Sequence, residues 1–221
     1  MFSSIVLQII AMVCMLIDHV GAYLCGDFWP MRLIGRLAMP IFVFGLAQGF
    51  IHSSSRLKYF ARIAITAVVT QIVLYFLDRH AGFVPGYNIL FNFMVTFLVL
   101  LCAEKGKLLI FLIPVLCGLS EAAHLDYGWV VPAMALGFYL TLRFLKDHKI
   151  AFCSGLAATL ILTNVLMFIL HGWPIQLFAI AAVVPLALYD GKKGKRLPRY
   201  AGYIFYPAHL AVILVIRLLF Y

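Results

Sequence analysis

The stretch SIVLQIIAMVCMLIDHVGAYL, residues 4–24, decides the fold. At 1.5 Å per residue it is long enough to cross the hydrocarbon core of a bilayer, and it is apolar almost from end to end. It is interrupted only late, by Asp18 and His19. Ionisable side chains at bilayer depth are costly unless paired or hydrated, so this pair marks a functional site as well as a helix. A cleaved signal peptide would need basic residues before the apolar stretch. Met1–Ser4 has none, and Asp18-His19 falls before any cleavage site, so the segment reads as a retained helix.

Eight further apolar runs of helical length follow, at Met31–Ile51, Tyr59–Leu77, Tyr87–Cys102, Leu108–Ala123, Gly128–Leu145, Ile150–His171, Pro174–Tyr189 and Tyr200–Tyr221. With 65% hydrophobic and 11% charged residues, the 221-residue chain has too little polar surface to cover a soluble globule. The period-2 alternation of a membrane barrel is absent. The sequence therefore predicts an all-α, polytopic integral membrane helix bundle of about nine transmembrane helices. Its fourth, fifth and eighth runs are short. No linker, low-complexity tract or repeat divides residues 1–221, so a single membrane-embedded domain is expected.

Charge in the connections predicts the orientation. Thirteen of the seventeen Lys and Arg residues follow runs 2, 4, 6 and 8: Arg56, Lys58 and Arg62; Lys105 and Lys107; Arg143, Lys146 and Lys149; Lys192, Lys193, Lys195, Arg196 and Arg199. The alternate connections hold Asp27, Asp78, Arg79, Glu121 and Asp126. By the positive-inside rule the N-terminus is cytoplasmic and Tyr221 lies outside. The formal charge of +9 then needs no nucleic-acid partner. The run 191–199 could hold phosphates, although its simpler role is to anchor the topology. Five dispersed cysteines with no CxxC or CxxH spacing form neither a disulfide framework nor a zinc site, and no metal is expected.

The polar residues within the runs converge by depth. Asp18 and Arg36 lie near the outer ends of helices joined by a short turn, so an Asp18–Arg36 ion pair is expected. Arg32 shares a face with Arg36 at i, i+4. Pro40 cannot donate to the Arg36 carbonyl and should open the second helix there. His19, about 100° around the helix from Asp18, is left to face another neighbour or a cavity. Asn88 and Asn92 share a face of the fourth run, Glu121 ends the fifth, and His209 sits in the last. Together they outline an outward-facing polar cavity. Each has a purely structural reading too: interhelical glue for the asparagines, a lock for the ion pair, a satisfied core histidine for His209. His52, His80, His124, His148 and His171 fall at loop ends and read as bystanders.

Several segments in order, LIDHVG (16–21), RLIGRLAMPIF (32–42), DYGW (126–129), Gln176 with Phe178-Ala179, Pro185 with YDGK (189–192), and YPAHL (206–210), resemble the TraX-like family of bacterial inner-membrane proteins over nearly the whole chain. The resemblance implies acetyl transfer from acetyl-CoA, as in the F-pilin acetyltransferases that modify a pilin N-terminus. It also implies kinship with larger transmembrane acyltransferases that use a helix-1 histidine. On that analogy His19 is catalytic, Asp18, Arg32 and Arg36 line its site, and His209 supports it.

Acyl transfer needs a base for the acceptor proton and positive charge where an oxyanion develops, roles that His19 and the two arginines could fill. The CoA phosphates would sit at Lys192, Lys193, Lys195 and Arg196, and the acceptor would be a membrane-associated protein or glycan at the outer face. A proton-coupled transporter using Asp18, His19 and His209 as a relay is the alternative, and a non-catalytic assembly factor a third.

Overall fold

The computed structural model describes residues 1–194 and 200–221, which form helices joined by short connections with no strand among them. Helix α1 (Ser4–Tyr23) starts at Ser3, whose hydroxyl accepts from the Val6 N–H. Leu7, Ala11, Cys14 and Asp18 recur at i, i+4, i+7 and i+11 on its buried face. Val6, Ile9, Val13 and Leu16 are exposed on the other. A helix apolar on its exposed face belongs in lipid rather than water. Asp18 therefore occupies a core position of a membrane helix.

The second apolar run is two helices, α2 (Trp29–Gly35) and α3 (Ala38–His52), broken at Arg36–Leu37. Pro40 leaves the Arg36 carbonyl without its i+4 donor, and the chain tightens through Arg36 N–H to Leu33 O and Leu37 N–H to Ile34 O, each 3.2 Å. The same cause acts twice more. Pro114 deprives Ile110, and a 3₁₀ segment (Lys107–Phe111) precedes α6 (Leu112–Ala122). Pro185 deprives Ala181, and a 3₁₀ segment (Pro174–Ala182) precedes α9 (Val183–Ala187).

The remaining helices are α4 (Arg56–Ala81), α5 (Ile89–Lys105), α7 (Val130–Phe144), α8 (Lys149–His171) and α10 (Ala201–Phe220). All nine apolar runs thus become helical. Five segments, α1, α2–α3, α4, α8 and α10, are long and apolar enough to cross a membrane, and the other runs give shorter helices. Helix α4 outlasts its run and takes Asp78 and Arg79, expected in a loop, into its last turn before the left-handed cap at Gly82.

Ten of the fifteen residues of α3 are buried, which makes it the central helix, packed against α1, α5 and α7. Helices α7 and α8 approach through small residues: Gly137 faces Thr159 and Gly155 faces Thr141. The pairs Gln8–Gly202 and Tyr23–Arg217 run α10 parallel to α1. Tyr203–Arg62 and His80–Arg217 run it parallel to α4. Ser4–Gln48 and Asp18–Arg36 set α1 antiparallel to α3. One end of the bundle therefore carries Arg56, Lys58, Lys149 and Lys192. The opposite end carries Asp18, Arg32 and the connection 123–129.

Candidate functional site

Asp18 meets both arginines. Its Oδ2 lies 2.5 Å from Arg32 Nη1 and its Oδ1 2.8 Å from Arg36 Nη2, with the Asp18 and Arg36 side chains only 13% and 11% exposed. The anticipated Asp18–Arg36 pair is thus one arm of a double clamp. Arg32 also reaches the exposed Asp27 at 3.1 Å. Arg36 donates from Nε to the Arg32 carbonyl at 3.1 Å, the carbonyl beside the helix break. Two carboxylates, the buried Asp18 and the exposed Asp27, face the two guanidinium groups, and the solvent-screened Asp27 is the weaker of the two partners. Gly35 makes the clamp possible, because a Cβ there would overlap the Asp18 carboxylate.

His19 turns away from the clamp towards α10. Its Nδ1 lies 2.7 Å from His209 Nε2, and the two rings are nearly parallel with centroids 5.0 Å apart. His209 Nδ1 in turn lies 2.7 Å from the Phe205 carbonyl. A carbonyl only accepts, so His209 carries its proton on Nδ1 and, when neutral, accepts at Nε2. His19 must then donate from Nδ1. That leaves the lone pair of His19 on Nε2, which has no hydrogen-bond partner among the described residues. The rings of Tyr23 and Tyr206 lie 6.1 and 6.2 Å from His19, and Phe205 stacks on His209 at 4.8 Å. Asp18 and His19, adjacent in sequence, serve two different neighbours because helical side chains diverge by about 100°.

The third part of the site comes from the connection before α7. Asn92, fully buried in α5, donates from Nδ2 to the carbonyls of Asp126 (2.8 Å) and Gly128 (2.7 Å), and accepts from Ser120 Oγ at 3.2 Å. These bonds hold Tyr127 and Gly128 in left-handed conformations, with φ of 61° and 49°. Such a conformation is strained for a tyrosine and needs this support. Its result is that Tyr127 Oη accepts from Arg36 Nη1 at 3.1 Å. Desolvation by the surrounding protein, opposed by Arg36, pushes the Asp126 carboxyl up to about 6, and the Tyr127 hydroxyl is likewise pushed up to about 12.

The other candidates fall elsewhere. Asn88 is the N-cap of α5 rather than a face residue. Its side chain accepts from Leu90 N–H and donates to the Ala67 carbonyl and Gln71 Oε1, both 2.9 Å, tying α5 to α4. A short amide one residue before a helix caps more favourably than it points inward. Glu121 accepts from the Trp129 N–H and lies 3.7 Å from His171 Nε2, so that histidine has a partner after all.

Lys192 is at the basic end, where Ser4 N–H bonds its carbonyl and its own N–H bonds Asp190. Fifteen residues of α1 separate Ser4 from His19, about 22 Å along the axis. Lys193 lies beside it in the chain, and Lys195 and Arg196 lie outside the described residues. No group of three or more His, Cys, Asp or Glu side chains fit to hold a metal occurs among the described residues.

The roles of Tyr127 and Tyr206 went unread in the sequence, although both lie within the family-like segments. The buried Tyr23–Asp78 hydrogen bond, 2.7 Å, went unread too. A non-glycine residue with positive φ leaves no trace in composition.

Comparison with known proteins gives the family. The family described as TraX protein matches residues 3–217. A protein of Dichelobacter nodosus described as "Probable fimbrial assembly protein FimC, serogroup H1" is 30% identical over 236 residues, which cover 96% of this chain and 94% of that one. An uncharacterised protein of Rickettsia prowazekii (strain Madrid E) is 39% identical over 66 residues, 30% of this chain and 25% of its own. No solved structure matches the chain. With its family matched over almost its whole length, the chain belongs to the TraX family.

Proposed function

We propose that this member of the TraX family is a membrane-embedded acyltransferase that moves an acetyl or acyl group from cytoplasmic CoA to an amine or hydroxyl near the outer face of a bacterial inner membrane. The observation that carries this reading is the hydrogen-bonded chain from the Phe205 carbonyl through His209 to His19, ending in an Nε2 without a partner among the described residues, one residue along α1 from the Asp18 that holds two arginines.

In the proposed reaction the acceptor nitrogen or oxygen attacks the thioester carbonyl while His19 Nε2 takes its proton. Negative charge develops on the carbonyl oxygen and is stabilised by the guanidinium groups of Arg32 and Arg36. The carbon–sulfur bond then breaks, and the proton on His19 passes to the departing thiolate. His209 holds the imidazole in the tautomer this needs. It is a weaker partner than a carboxylate, and it adds no negative charge beside the developing oxyanion.

Topology gives the reading a rationale. With the basic end cytoplasmic by the positive-inside rule, α1, α4 and α10 all run outward, and His19 lies four residues from the outer end of α1. A cytoplasmic donor and an outer acceptor could then meet only inside the membrane. The fimbrial assembly relative makes the free amine of a fimbrial subunit the first acceptor to try. The test is transfer of labelled acetyl from acetyl-CoA to envelope proteins by vesicles carrying the wild-type chain or His19→Ala. Absence of transfer together with proton-coupled solute flux in proteoliposomes would favour a transporter instead.

A further inference from the structure

Arg62, in the second turn of α4 from its basic end, lies near two tyrosines. Its guanidinium carbon is 5.7 Å from the ring centroid of Tyr59 and 5.8 Å from that of Tyr203 on α10. Its Nε is buried and has no hydrogen-bond partner among the described residues. Every Asp and Glu of the chain is described, and none forms an ion pair with Arg62. The Nε of Arg217 is likewise buried without a partner among the described residues, but Arg217, Arg56, Arg32 and Arg36 have acceptors for their terminal nitrogens. Arg56 has Glu104 at 2.8 Å, Arg32 and Arg36 have Asp18, and Arg217 donates to the carbonyls of Tyr23 and His80.

We infer that Arg62, close to Tyr59 and Tyr203, is a binding site for the diphosphate of the CoA thioester donor; the inference rests on the acyltransferase reading above. A guanidinium within cation–π reach of two aromatic rings, with a desolvated N–H still to satisfy, fits the two-pronged recognition of phosphate oxygens. Both tyrosines pack against the hydrophobic core, so the guanidinium is held within the bundle rather than among lipid head groups. Gly49 helps to place Tyr59, whose hydroxyl lies where a Cβ of that residue would stand.

The position suits the chemistry as well. Tyr203 and His209 are six residues apart on one helix, about 9 Å along the axis, against about 22 Å from the Lys192 end. A phosphate at Arg62 leaves the pantetheine arm to run beside α10 to His19, with the basic loops open to the outermost phosphate.

The test is binding of CoA and of acetylated pantetheine, which lacks the nucleotide phosphates, to the full chain in nanodiscs of phosphatidylcholine. Arg62→Gln should weaken CoA binding by about tenfold or more, as expected for loss of charge-assisted hydrogen bonds, and leave pantetheine binding unchanged. Arg62→Lys should fall between, because it keeps the charge but not the fork. Tyr203→Phe should give a smaller loss, and both carry the test if Arg62→Gln does not fold. Equal CoA affinity in wild type and variants overturns this site and leaves the acyltransferase reading standing. No CoA binding by the wild type overturns both. Unchanged CoA affinity with loss of co-purified anionic lipid, read by native mass spectrometry, assigns Arg62 to a lipid head group and overturns the inference.

Discussion

Gly35 stands against the Asp18 carboxylate with no room for a Cβ between them. The absence of a side chain on α2 is what lets a residue of α1 reach two arginines at once. Gly35→Ala should therefore push α2 off α1 and break the clamp, although alanine is the better helix former. The expected outcome is a lower Tm with transfer activity almost abolished. An unchanged melt would show that α2 can shift without loss.

The clamp also predicts unequal costs for its members. Asp18→Asn leaves Arg36 without a carboxylate and Arg32 with only the exposed Asp27, and should lose about 3–5 kcal/mol, whereas Arg36→Gln leaves Asp18 with Arg32 and should lose less. The double variant Asp18→Asn/Arg36→Gln should recover only part of the loss, because Arg32 keeps only the exposed Asp27. A thermal-melt cycle on the purified chain measures this coupling. Full recovery in the double variant would mean that Arg32 contributes nothing.

His209→Leu tests the tautomer argument. It removes the acceptor for His19 Nδ1–H without touching Nε2, and so should lower kcat by about 10²-fold or more with little change in KM for the acyl donor, as expected for a mis-set general base. His209→Gln offers an acceptor oxygen and should recover part of the rate. If Leu and Gln behave alike, packing rather than tautomer control is the role of His209.

Asp126 gives a pH signature. Its folded pKa of about 6 lies above that of an ordinary carboxyl, so the native state holds the proton more tightly than the unfolded chain, and stability falls as pH rises from the unfolded value through about 6. Asp126→Asn should therefore raise Tm relative to wild type above pH 6, and the difference should shrink at pH 4. Because Asp126 is exposed at the surface, solvent screening should keep the effect small. A difference independent of pH would locate the effect in the turn rather than the charge.

Hydropathy by itself determined the helical runs, since burying unpaired backbone in lipid leaves helices as the economical answer. Proline positions determined the breaks, because a missing N–H acts on a carbonyl four residues away in the same chain. Even the Asp18–Arg36 contact was readable, since a short turn forces neighbouring helices antiparallel. All of these are consequences of bonds made nearby in sequence.

What needed the tertiary structure were the meetings whose partners are far apart: His19 with His209, 190 residues on; Arg36 with Tyr127; Arg62 with Tyr203. Periodicity gives a helix a buried face but does not say which helix will cover it. That choice is made by close packing, at places such as Gly35 against Asp18 and Gly49 against Tyr59, where a single carbon decides how near two helices can come and which side chains then touch.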